Sequence, residues 1–329
     1  MREKCNFFAF FLVGNLEAST FAVYYLSSTV VRLSRDGGLY IKIHQPINQK
    51  DTMLQIENIS FSYGKRRAEV FHDFSLSFEP GHIYGLLGKN GTGKSTLLYL
   101  ICGLLRPTSG SVTFDGKDVK LRLPEVLQDI FLVPEEFELP NVTMETYVKL
   151  NAPFYPRFDA AILQRCLEAF ELPATLNLGS LSMGQKKKAF MSFALATRTR
   201  LLIMDEPTNG LDIPSKSIFR KIVAQHISDE QAVIISTHQV RDVEMLLDHV
   251  VMIEGSLVLL NRSMSEISAA VRCEQRSMSE SLEGALYVQP SLAGNAVLVP
   301  NTNPDDETPV NLELLFCCAE SGSLPESLK

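Results

Sequence analysis

From residue 53 onward no run is long and apolar enough to cross a bilayer, so that stretch offers no membrane pathway of its own. Cysteine is sparse: Cys5, Cys102, Cys166, Cys273, Cys317 and Cys318 are the six in 329 residues, and no two form a CxxC pair. That excludes a disulfide-dense scaffold and points to a reduced, cytosolic setting. Positive charge is not in excess either. A formal net charge of -7 speaks against a broad nucleic-acid surface, leaving room for a local basic patch. No internal repeat is present. What the chain does have is 45% hydrophobic content, enough for a sizeable core, and a length that predicts one large domain with appendages or two domains.

The first nineteen residues, MREKCNFFAFFLVGNLEAS, carry a charged start, a short apolar run and small residues near Ala18 and Ser19, the form of a signal peptide. An anchor extended to Val31 would bury Asn15 and Glu17 in lipid. A third reading places residues 1–52 outside the working protein, with MLQIENISFSYG from Met53 as the start of a fold.

From Met53 short apolar strands alternate with helical segments. MLQIENISF and FSLSFEP read as antiparallel strands, and HIYGLL, RLLIMDEP and AVIISTH as buried ones. STLLYLICGLL, AAILQRCLEAFEL, KKAFMSFALA and SKSIFRKIVAQHI read as helices, SVTFDG as a short strand, and VVMIEGSLVLL as a hairpin turning at Gly255. Such alternation predicts an α/β domain with a largely parallel sheet over about 53–262, and a helical insert over about 135–180. Residues 263–329 change to short alternating runs with turn residues, a small α+β appendage.

Two motifs carry chemistry. GKNGTGKST comprises Gly88, Lys89, Asn90, Gly91, Thr92, Gly93, Lys94, Ser95 and Thr96 and matches the phosphate-binding loop G-x-x-x-x-G-K-[ST]. Glycines let main-chain N–H groups turn inward around phosphate oxygens, and the following helix adds its N-terminal partial charge. Lys94 reaches the β- and γ-phosphates, and Ser95 offers a hydroxyl to Mg²⁺. A strand before and a helix after give the loop its required context. Farther on, LLIMDEPTNGLD ends an apolar strand in Asp205 and Glu206, one able to hold Mg²⁺ through water and the other to polarise an attacking water.

In their order these elements resemble the ATP-binding subunit of an ABC transporter over about residues 53–262. LSMGQ, with Ser182, Met183, Gly184 and Gln185, resembles the family signature LSGGQ. NGLD resembles the D-loop, ending in Asp212, and ISTHQ the switch strand with His238. Tyr63 stands where the family stacks an aromatic ring on adenine; taken alone it reads as an ordinary strand tyrosine, and His238 as a strand-end histidine. The resemblance implies ATP and Mg²⁺ as ligands, with Ser95, Asp205 and Glu135 toward the metal and Glu206 and His238 catalytic. It also implies a peripheral location on the cytoplasmic face, a separate integral membrane permease, and a second nucleotide-binding subunit, alike or different, paired head to tail around two ATP. Nucleic acid is not an expected partner. The overall resemblance favours export.

Two residues depart from the family. Glu135 stands where glutamine is usual; it either contacts Mg²⁺ or turns away, and when ionised it only accepts hydrogen bonds. Met183 replaces a glycine, which could crowd a nucleotide or exclude a positive φ. Two rival functions follow: an ABC-like ATPase acting on nucleic acid or ribosomes, against which stand the single phosphate loop and the acidic balance, and a nucleotide sensor that does not hydrolyse. The run Lys186, Lys187, Lys188 sits just after the signature; at about 100° per residue the three fan across the helix, so at most one or two can face the γ-phosphate that the signature is expected to meet in the partner.

Overall fold

The computed structural model describes residues 52–64, 68–173, 175–292, 294–303 and 310–328, together with the main chain of three strands between 23 and 43. Those three, β1 (Val23–Leu26), β2 (Thr29–Leu33) and β3 (Leu39–Ile43), pair antiparallel in chain order and belong to a unit of their own, Met1–Lys50. The leader reading lies outside the described residues. The anchor reading, carried to Val31, meets two extended strands there instead of one helix.

The second unit, Asp51–Lys329, opens with β4 (Leu54–Phe61), β5 (Phe71–Phe78), β6 (Ile83–Leu87), α1 (Lys94–Ile101), β7 (Ser109–Phe114) and β8 (Lys117–Asp118). It continues through α2 (Pro124–Leu127), β9 (Ile130–Val133), α3 (Met144–Asn151), α4 (Ala160–Ala169), α5 (Met183–Thr197), β10 (Leu201–Asp205) and α6 (Ile213–His226). It closes with β11 (Ala232–Thr237), β12 (His249–Glu254), β13 (Leu257–Ser263), α7 (Met264–Ala270), β14 (Val271–Arg276), β15 (Tyr287–Ser291), β16 (Gly294–Pro300) and α8 (Leu312–Glu320). Among the described residues, no helix is long and apolar enough to cross a membrane.

The central sheet has the order β13-β12-β6-β11-β10-β9, parallel except for β13, which is the return of the hairpin at Gly255. The predicted helix from Ser95 is shorter than its apolar run: α1 stops at Ile101, and Gly103 turns the chain at φ 63. An antiparallel sheet of order β5-β4-β7-β8 covers one face, as the alternation in β4 and β5 predicts.

Each buried strand of the central sheet feeds two cores, because alternate side chains point to opposite faces. Leu201, Ile203, Ile234 and Val251 pack with α1 and the antiparallel sheet. Leu202, Met204, Ile235 and Met252 pack with α4, α5 and α6. The C-terminal region is the expected α+β assembly, with β14-β16-β15 antiparallel and α8 beside it. Its Val271, Leu298, Leu312 and Leu315 join the second of these cores. Two ion pairs also tie α8 to the rest, Glu320 to Lys89 at 2.9 Å and Glu313 to Arg241 at 2.7 Å.

Register decides where the chemistry lies. Leu87 stands opposite Thr237, Asp205 opposite Ser236, and Met204 opposite Val133. The carboxyl ends of β6, β9, β10 and β11 therefore finish side by side, the position at which parallel α/β sheets bind ligands.

Candidate nucleotide-binding site

A cleft of about 430 Å³ opens at those strand ends. Tyr63, Val70, Asn90, Gly91, Gly93, Lys94, Ser95, Thr96, Glu135, Asp205 and Glu206 line it. The phosphate loop needs its glycines for different reasons. Gly93 caps α1 at φ 102, and a Cβ there would stand 2.8 Å from the Phe71 ring. Gly88 lies so close to β12 that a Cβ would meet the Ile253 carbonyl oxygen at 2.7 Å.

Lys94 is buried, and its Nζ donates to the carbonyls of Gly88 (2.7 Å) and Lys89 (3.0 Å). Burial draws its pKa down from the ordinary lysine value, and the carboxylates of Glu206, Asp205 and Glu135 oppose that shift. Thr92 closes the loop by donating its hydroxyl to the Lys89 carbonyl (2.9 Å). Tyr63 is half-exposed at the cleft mouth; its ring packs edge-on against Phe61, and its hydroxyl shares a hydrogen bond with Thr96 (2.9 Å).

Asp205 accepts a hydrogen bond from the Ser236 hydroxyl on β11. Glu206 is 4% exposed and sits at φ 45, a left-handed conformation disfavoured for a residue with a Cβ. Its carboxylate accepts from Thr237 Oγ1 (2.9 Å) and from the His238 main-chain N–H (2.9 Å), and His238 Nδ1 lies 2.6 Å from the same oxygen. The expected residues Glu206 and His238 are thus brought together, joined by Thr237, which the sequence reading passed over.

Glu135 borders the cleft, and its Oε1 accepts from Asn209 Nδ2 (2.9 Å). Asn209 Oδ1 in turn accepts from Gln239 Nε2 (2.9 Å). Ser95, Glu135 and Asp205 bring oxygen donors to one cleft beside Lys94, a set that suits a hard divalent cation.

The signature residues lie elsewhere. Ser182 caps α5: its Oγ accepts from Gln185 N–H (3.4 Å), and Gln185 Oε1 accepts from Ser182 N–H (3.1 Å). Among the described residues, none of Ser182–Gln185 lines the cleft. Met183 begins the helix and is absent from the described residues with positive φ, so the expected conflict with a glycine-only conformation does not arise. Its side chain is 54% exposed. Asp212 caps α6 by accepting from Ser215 N–H (2.8 Å), and the Ser215 hydroxyl first, then that N–H, hold its carboxyl below the usual range. Of the three lysines, Lys186 and Lys188 are half-buried and Lys187 is buried, its Nζ donating to the carbonyls of Glu206 (2.8 Å) and Asn209 (3.0 Å).

A phosphate loop between β6 and α1, facing acidic strand ends across a cleft, defines a nucleotide-binding α/β protein of the phosphate-loop class. Residues 71–209 match the family model described as ABC transporter. The ABC transporter ATP-binding protein YtrB of Bacillus subtilis (strain 168) is 28% identical over 275 residues, 77% of this chain and 94% of that protein. The lantibiotic transport ATP-binding protein SrtF of Streptococcus pyogenes is 31% identical over 216 residues, 63% of this chain and 90% of that protein. A solved ATP-binding subunit of an ABC transporter superposes with a TM-score of 0.59 at 25% identity, covering 66% of this chain and 92% of its own. The chain belongs to the ATP-binding proteins of the ABC transporter family; it binds ATP and is an ATPase.

Proposed function

We propose that this ATPase powers translocation through a separate integral membrane permease, and that it works as a head-to-tail pair closed by two ATP. One observation carries the pairing. The signature residues at the start of α5 stand apart from their own chain's cleft, with Met183 exposed and Ser182 and Gln185 capping each other, which suits a nucleotide held by a second subunit. We place the chain at the cytoplasmic face as a peripheral subunit and read the transport direction as export.

In this reading Tyr63 stacks on the adenine, and Asn90 to Thr96 cradle the phosphates. Lys94 moves to the β- and γ-oxygens. Ser95 and Asp205 would hold Mg²⁺, with Glu135 in reach, and the ion would neutralise phosphate charge. Glu206 takes a proton from water as the water oxygen bonds to the γ-phosphorus, and the bond to the bridging oxygen of ADP breaks. His238 keeps the carboxylate aimed, and Asp212 holds the D-loop to the start of α6.

A mixed pair tests the arrangement. One subunit carries Ser182→Arg and the other Lys94→Ala. If the signature serves the neighbour, both lesions fall on one composite site and the other binds ATP tightly. If it serves its own chain, both sites are damaged and tight binding is lost, which overturns the pairing. Co-purification of an integral membrane protein from detergent-solubilised membranes tests the permease. Intracellular accumulation of the transported compound in cells lacking the protein supports export, and its depletion reverses the direction.

A further inference from the structure

Lys187 is 2% exposed, and its ammonium has no carboxylate within salt-bridge distance among the described contacts. Its neighbours on the same helix face, Met191 and Ala194, are buried apolar residues, so a methionine would satisfy packing alone. Removing an ammonium from water is unfavourable unless its donors are used. Here they bond two main-chain carbonyls, of Glu206 and Asn209, at the two ends of one turn, and Asn209 N–H closes that turn on the Glu206 carbonyl at 3.2 Å.

The turn is where geometry matters most. Glu206 holds a left-handed φ of 45, a conformation that persists only where surrounding contacts impose it. Its side chain is fixed by Thr237 and His238, its main-chain N–H donates to the Ser236 carbonyl (2.9 Å), and its carbonyl accepts from Lys187. Asn209 extends the grip to Glu135 and Gln239. One buried side chain from the signature helix thereby braces the loop that follows β10.

We propose that Lys187 is a positioning residue for ATP hydrolysis: by holding the carbonyls of Glu206 and Asn209 it sets where the Glu206 carboxylate meets the attacking water. The proposal rests on Glu206 acting as the proton acceptor. A displacement of about 1 Å at a reacting group costs on the order of a hundredfold in rate, so loss of the brace acts on kcat while ATP, held mainly by the phosphate loop, keeps its KM.

The test uses the full-length chain. ATP turnover is measured across ATP concentrations for Lys187→Met, which keeps length and apolar bulk without donors, and for Lys187→Gln, which keeps a donor. Thermal unfolding is followed beside them, and Glu206→Gln is assayed in parallel. The expected result is a kcat lower by about tenfold or more in Lys187→Met at a KM within about twofold, with part of the rate regained in Lys187→Gln. A Lys187→Met kcat within about twofold of wild type overturns the proposal, as does an equal loss in both variants that tracks a lower melting temperature. If Lys187→Met does not fold, Lys187→Gln decides: a lower kcat at unchanged KM supports the brace, and an unchanged kcat overturns it. Retained turnover in Glu206→Gln removes the reading beneath the proposal, whereas turnover lost there but kept in Lys187→Met removes the proposal alone.

Discussion

Replacing Glu206 by glutamine changes one oxygen for an NH₂ in a site whose hydrogen bonds are all accounted for. The retained amide oxygen can take the place of Oε1, accepting from His238 N–H and facing His238 Nδ1. The new NH₂ then faces Thr237 Oγ1, which already accepts from Gln239 N–H (2.9 Å) and has a second lone pair once its own hydroxyl turns away. In turning away, the hydroxyl of Thr237, a fully buried residue, loses its acceptor. The orphaned donor, together with the exchange of a charged acceptor for a neutral one, costs about 1–3 kcal/mol of stability. For a chain of this size that lowers the melting temperature by about 2–12 °C. Turnover should fall far more. A positioned base contributes about 10²–10⁴-fold, roughly 3–5.5 kcal/mol of barrier, and the amide cannot take the proton. The assay pairs ATP turnover with nucleotide affinity and a melting curve on one preparation. A rate within about twofold of wild type would remove Glu206 as the base. A rate loss matched by loss of ATP affinity would show that the residue holds the fold of the cleft rather than the water.

Four further outcomes are expected. Lys94→Ala should weaken triphosphate binding more than diphosphate binding, because the lost cation faces the β- and γ-phosphates; equal weakening in a titration of both nucleotides would contradict this. Glu135→Gln should shift the Mg²⁺ concentration needed for half-maximal turnover, and an unchanged Mg²⁺ titration with unchanged rate would leave Glu135 a partner of Asn209 only. Burial holds the His249 imidazole below its ordinary 6.5, beside His82, Asp248, Asn261 and Glu266. The unfolded chain then takes up that proton first, so the stability from neutral His249 is complete above about 6.5 and declines as pH falls through that value; His249→Gln should flatten the fall in melting temperature between about pH 7.5 and 5.5. A chain begun at Met53 should fold and hydrolyse ATP, and insoluble protein from that truncation would show that the preceding residues belong to the fold.

The fold was legible because its strands are short, apolar and bounded by loop residues, and because the phosphate loop needs glycine at fixed offsets whatever surrounds it. Asp205 and Glu206 were legible for the same reason: they end a strand that cannot hold charge in its middle. Lys187 was not legible as the inward lysine. Met191 and Ala194 follow it by four and seven residues, but Phe190 and Phe193 stand in the same relation to Lys186, so helical spacing alone does not choose between them. What it touches could not be read, since its acceptors are main-chain carbonyls nineteen and twenty-two residues away, and every residue has one. The contact of Asn209 with Glu135 likewise joins residues separated by 74 positions, brought together only by strand register. Glu135 could be flagged as unusual from its place, but which way it faced depended on that partner.

Leu201 to Met204 alternate between two cores that share only the sheet as a wall. The wall makes the two sides separable. The antiparallel sheet and α1 press on one surface, beside the phosphate loop; the helices and the C-terminal sheet press on the other. Sequence drift on the helical side is absorbed by its own packing and reaches the cleft only through the strands, which are stiff, or through the few side chains that reach around their ends. Repacking on the helical side can therefore proceed without a change in the phosphate loop on the other.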